Sequence, residues 1–120
     1  MIYLFLAEGF EEIEALAVVD ILRRAELNVE TVSITDNQVV FGAHGIPVLA
    51  ERILPALDWD DCEMIILPGG LPGSTNLDAC EELRAGIRQL YEAGKLGAIT
   101  YTEGEYFHPG SYQLDGKRTG

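Results

Sequence analysis

Residues 2–6, Ile-Tyr-Leu-Phe-Leu, run apolar without a break. A strand that shows no polar alternation has to be covered on both faces, which is the situation of a parallel sheet packed between helices. A second such run, Met64-Ile65-Ile66-Leu67, is closed by Pro68-Gly69-Gly70, and a third apolar strand reads Leu96-Gly97-Ala98-Ile99. Helical patterns lie between them, so the order is β, α, β, a small β insertion, β, α, β. Strands alternating with helices predict an α/β domain with a mainly parallel sheet and ligands at the carboxyl ends of its strands.

The first helix is expected from Glu11 to about residue 25, with Ile13, Leu16, Ala17, Ile21 and Leu22 at three- and four-residue spacings as its apolar stripe. Glu11 and Glu12 suit the positive end of its dipole, Arg23 and Arg24 the negative end. Residues 28–34 are half-polar and β-branched, as expected of a strand nearer the sheet edge. Residues 38–41 and 46–49, joined through Gly42-Ala43-His44-Gly45, predict a β excursion off the main sheet. A second amphipathic helix is expected from Leu77 to about residue 93, with Gly94 as its stop. After Thr100 the texture changes, three of the five tyrosines falling in residues 101–112, and Pro109-Gly110 predicts a hairpin pairing 105–107 with 111–114.

At 120 residues the chain fits one domain, and 48% hydrophobic against 23% charged residues is enough to build a core. Twenty acids against eight bases leave a net charge of −12, which repels nucleic acid and anionic lipid alike. No apolar run reaches the ~20 residues of a membrane span, and the chain opens directly on a core strand, so a cytoplasmic location is expected. Cys62 and Cys80 have neither the spacing of a zinc site nor a disulfide framework, and no metal is expected. Asp60, Asp61 and Glu63 should raise the pKa of Cys62.

Three segments converge on the carboxyl edge of the predicted sheet: the loop from Glu8 to Glu14, the turn from Pro68 to Asn76, and whatever follows Ile99. Glu8, Glu11, Glu12 and Glu14 crowd the helix start where a phosphate-binding fold presents bare amides, which disfavours a flavin or dinucleotide site. Glu14, one turn into the helix, suits proton transfer, whereas the other glutamates read as a solvated face. Gly69 and Gly70 allow backbone N–H groups to be exposed as half of an oxyanion hole. A phosphoacceptor domain needs an aspartate where Leu67-Pro68 stands.

Ala7-Glu8-Gly9-Phe10-Glu11-Glu12-Ile13-Glu14, Val19-Asp20-Ile21-Leu22-Arg23-Arg24-Ala25, Gly42-Ala43-His44-Gly45-Ile46 and Leu67-Pro68-Gly69-Gly70-Leu71-Pro72-Gly73 together resemble, in order and spacing, the N-terminal half of the ThiJ/PfpI superfamily. That superfamily includes the parkinsonism-associated protein deglycase. The resemblance covers residues 1 to about 99 and implies a flavodoxin-like three-layer sandwich, here truncated, with residues 100–120 as a divergent tail of the same single domain.

The resemblance further implies a cysteine on a strained turn after the fourth parallel strand, contacted by a glutamate that corresponds to Glu14. Oxyanion amides would come from the Gly69-Gly70 turn and from the residue after the cysteine, here Tyr101. The thiolate would attack an aldehyde such as methylglyoxal or its protein adducts, with no cofactor or metal, in a homo-oligomer. Thr100 stands at the cysteine position. A threonine hydroxyl is a poor nucleophile without a dedicated base, so the chain is expected to be inactive or much weakened as a deglycase or glyoxalase. The alternative is a non-catalytic remnant or engineered chimera that serves as a scaffold or interaction module. The later half of the family domain, with its usual histidine, is missing; His44 is expected to be structural and His108 an ordinary surface residue.

Overall fold

A computed structural model describes residues 1–95 and the strand Ile99–Thr102. Among these residues the order is β1 (Ile2–Leu6), α1 (Glu12–Arg24), β2 (Val29–Ser33), β3 (Val39–Phe41), β4 (Pro47–Leu49), β5 (Arg52–Ile53), β6 (Met64–Pro68), α2 (Gly73–Asp78), α3 (Glu81–Glu92) and β7 (Ile99–Thr102). One sheet runs β5-β2-β1-β6-β7 with every pairing parallel, and β3 and β4 form an antiparallel hairpin beside it.

The unbroken apolar run of β1 puts it at the centre. Tyr3 and Phe5 face one side with Leu77, Leu83 and Leu90 of α2 and α3. Ile2, Leu4 and Leu6 face the other with Ala15 and Val19 of α1. The period-two alternation thus feeds two cores, and helix, sheet and helix make the three expected layers.

Four features depart from the sequence reading. The helix expected from Leu77 is two helices: Cys80 is extended (φ −83°, ψ 104°) and starts α3, where Glu81 and Glu82 suit the positive end of a new dipole. The leucine spacing runs on past this break, so periodicity alone reads one helix. The stripe Ile13, Leu16, Ala17 and Ile21 faces outward; α1 meets the sheet through Ala15 and Val19, with Val18 and Leu22 partly buried. Small side chains on that face let the helix sit close to the sheet.

The two-residue β5 was not foreseen. It lies outside β2, and Glu51 just before it accepts the Thr31 N–H (3.0 Å) and Arg23 Nη2 (2.6 Å), which covers a strand whose Thr31 and Ser33 are buried. The last strand continues beyond its expected end: Ile99 belongs to β7, which runs on through Thr102, as the β-branched and aromatic residues Ile99-Thr100-Tyr101-Thr102 favour. The expected strand residues 96–98 and the expected hairpin over 105–114 lie outside the described residues.

Candidate functional site

At the carboxyl edge, three segments distant in sequence interlock. Gly9 has φ +89°, and a Cβ there would lie 2.4 Å from Pro72 Cδ; Gly70 has φ +99°, and a Cβ there would lie 2.6 Å from the Glu11 nitrogen. Any side chain at either position would meet both the left-handed backbone and a neighbouring segment. The Glu11 N–H donates to Gly69 O (3.0 Å), Gly73 N–H to Gly9 O (3.1 Å), and Asn76 Nδ2 to Glu8 O (2.8 Å). The hairpin joins from the other side: Gly9 N–H donates to Phe41 O (2.9 Å), Ala43 N–H to Phe10 O (2.7 Å), and Phe41 N–H to Glu8 Oε2 (2.6 Å). The Gly69-Gly70 turn is therefore braced from behind by the start of α1, and that in turn by the hairpin.

The central piece of this brace is a residue that sequence reasoning assigned to a solvated face. Glu12 is 5% exposed. Its Oε2 accepts the His44 N–H (2.8 Å) and the Ile46 N–H (3.3 Å), and its Oε1 faces His44 Nδ1 at 2.8 Å. Burial pushes the Glu12 pKa up, but the hydrogen bonds from the His44 ring and from backbone N–H groups outweigh it and hold it at about 2. The same contact, with the charges of Glu12 and Glu11, raises the pKa of His44. Gly42 makes room, since a Cβ there would fall 2.2 Å from Glu12 Cδ. The structural role expected of His44 is this one. The pairing spans 32 residues of sequence, so the available signal was only Gly-x-His in a hairpin turn beside an acidic helix start.

Glu11, Glu12 and His44 bring three potential metal-ligand atoms within 4.8 Å of one another. The Glu12 carboxylate already accepts from two backbone N–H groups and meets the imidazole, and Glu11 Oε1 caps α1 through the Ile13 N–H (2.8 Å), so the group is accounted for as an ion pair and a cap.

Of the residues singled out from sequence, Glu14 sits half-buried in the first turn of α1 with its Oε1 shut off from solvent. Gly69 and Gly70 lie in the braced turn beside Glu11. Thr100 and Tyr101 fall within β7, opposite Ile66 and Leu67, rather than on a turn beyond the strand. Cys62 is buried on the α3 side with its pKa pushed up to about 11; burial is the main cause, and neighbouring Asp61 and Glu63 add to it. A cavity of about 150 Å³ reaches Gly69 from that side, lined by Leu67, Leu77, Leu83, Arg84 and Ile87.

The DJ-1/PfpI family model matches residues 1–101. The chain belongs to the DJ-1/PfpI family. It is 38% identical over 114 residues to Protein DJ-1 homolog A of Arabidopsis thaliana, covering 94% of this chain but 29% of that protein. Oxidized DJ-1 of Toxoplasma gondii superposes with a TM-score of 0.76 at 31% identity, over 83% of this chain and 53% of that one. A cysteine-to-alanine mutant of a DJ-1 superfamily protein from Salmonella typhimurium gives 0.72 at 38% identity, over 83% and 53%. The chain thus spans about half the length of these DJ-1 structures and less of the curated relative. The flavodoxin-like fold expected from the sequence is the fold of these neighbours.

Proposed function

We propose that this chain is a DJ-1/PfpI scaffold whose aldehyde-directed chemistry is silenced or much weakened. One observation carries the reading: the family match runs through Glu14 and the Gly69-Gly70 turn, yet Thr100 stands where the family cysteine is expected. A Thr hydroxyl is far less nucleophilic at neutral pH than a thiolate, and an oxyanion turn without a nucleophile has no adduct to stabilise. The substrate class, if any turnover remains, is a small aldehyde such as methylglyoxal or a glycated protein, with Glu14 moving the proton and Tyr101 next to the reacting position. The setting proposed is cytoplasmic. Purified protein should consume methylglyoxal no faster than buffer does. Turnover at an enzyme-like rate that Glu14→Gln abolishes would sink the reading.

A second reading, an interaction module that self-associates, is favoured by α1. Ile13 (77% exposed) and Ile21 (63% exposed) continue through Leu16 as one outward apolar stripe, a kind of surface that monomers seldom leave uncovered. The helix starts acidic and ends in Arg23 and Arg24. Two copies crossing antiparallel about a two-fold axis would set acidic start against basic end. Sedimentation velocity across a concentration series tests this, and a monomer at every concentration excludes it.

A further inference from the structure

The β3–β4 hairpin is small, and both its strands are largely exposed. What ties its turn to the body is concentrated at one carboxylate, since Glu12 receives two backbone N–H groups and the ring of His44, with Ala43 N–H on Phe10 O beside them. Of these contacts only the imidazole changes charge near neutral pH. The ring is well placed to do so: the His44 side chain is 67% exposed and exchanges protons freely, while the Glu12 carboxylate it meets is buried.

We propose that Glu12 and His44 form a proton-controlled latch, in which the charged imidazole clamps the hairpin turn onto the start of α1 and its deprotonation lets the turn lift away locally while the sheet stays folded. Among the described residues the groups that face His44 are acidic, Glu12 at 2.8 Å and Glu11 at 3.7 Å from α1 and its preceding loop, and Glu8 holds the near end of the same hairpin through the Phe41 N–H. The direction follows from these signs. His44, raised above its ordinary 6.5, contributes fully below that value, and its contribution is lost as the pH rises through the raised pKa. Glu12, held at about 2, contributes above its ordinary 4.5 and is lost only as the pH falls toward 2. Of these two groups only His44 changes state across the neutral range, and alkalinity opens the latch.

The consequence reaches the candidate site through backbone. The residue next to Glu12 donates its N–H to Gly69 O, so the hairpin turn is the outermost layer of the brace behind the glycine turn. This device operates whether or not the chain turns over any substrate.

Amide hydrogen exchange read by NMR between about pH 5.5 and about pH 8.5, corrected for intrinsic exchange, tests it alongside direct titration of the His44 ring. Protection of the Ala43, His44 and Ile46 amides should fall with rising pH. The full drop equals ten raised to the difference between the His44 pKa in the closed and in the open hairpin. The Leu4 and Phe5 amides of β1 should keep their protection throughout. In His44→Gln the hairpin amides should be less protected and their pH dependence flat, and in Glu12→Gln the His44 ring should titrate nearer its ordinary value. Wild-type hairpin protection that stays flat while His44 titrates overturns the latch. So does a pH dependence that survives in His44→Gln, or a parallel loss of protection in β1, which would mean global rather than local opening.

Discussion

The two helical faces of the sheet are built to different standards of closure. On one side α3 buries Leu83, Gly86 and Leu90, and the residues that remain outward are mainly Glu81, Glu82, Arg84, Arg88, Gln89 and Glu92. Gly86 lets the helix approach until a Cβ there would lie 2.2 Å from the Trp59 ring, which stacks on Phe5 at 5.8 Å between centroids. On the other side α1 buries small residues and leaves its larger ones, Ile13, Leu16 and Ile21, in the open. An amphipathic helix with its polar half outside has finished its packing. One that is apolar on two sides has packed one of them.

The contrast can be broken at three points. Leu83→Ala on the finished side should cost most, ~2–5 kcal/mol of unfolding free energy, because it opens a cavity in a closely packed core; denaturant titration that gives less than about 1 kcal/mol would mean that the α3 face is loosely packed after all. Gly86→Val should follow, at roughly 1–3 kcal/mol, since the added side chain must displace Trp59; near-ultraviolet circular dichroism should report the disturbed indole. Ile13→Ser with Ile21→Ser on the open side should leave unfolding within about 0.5 kcal/mol of the parent, the range of exposed substitutions. If the stripe is an association face, the same pair should move the sedimentation coefficient toward that of a monomer. A large loss of stability with no change in sedimentation would mean that the stripe packs against this chain itself.

The sequence made the architecture legible because two signals agreed: fully apolar strands demand cover on both faces, and helical patterns lie between them in sequence. Which side of α1 faces the sheet was not legible. Ile13, Leu16, Ala17 and Ile21 make as good a period as Ala15, Val18, Val19 and Leu22, and a count of spacings cannot tell a core stripe from an interface stripe. The glycine turn was legible as a turn, because Pro-Gly-Gly directly after a buried strand ends it, and Gly70 takes the left-handed backbone there. Glu12 was not, because a glutamate at a helix start is nearly always solvated, and the donors that bury this one are contributed by residues 44 and 46. Thr100 was placed on a turn because the expected strand ended at Ile99; the pairing of Ile65 with Ile99 carries the strand on to Thr102.

The position of β1 bears on how the chain is made. It precedes both of its neighbours in the chain, β2, paired from Val29, and β6, paired from Met64. A nascent chain therefore carries five consecutive side chains destined for burial for about sixty residues of elongation before both flanks of β1 can close. Once β2 has been made one edge of that segment can pair, and until β6 follows the other stays open to a foreign strand.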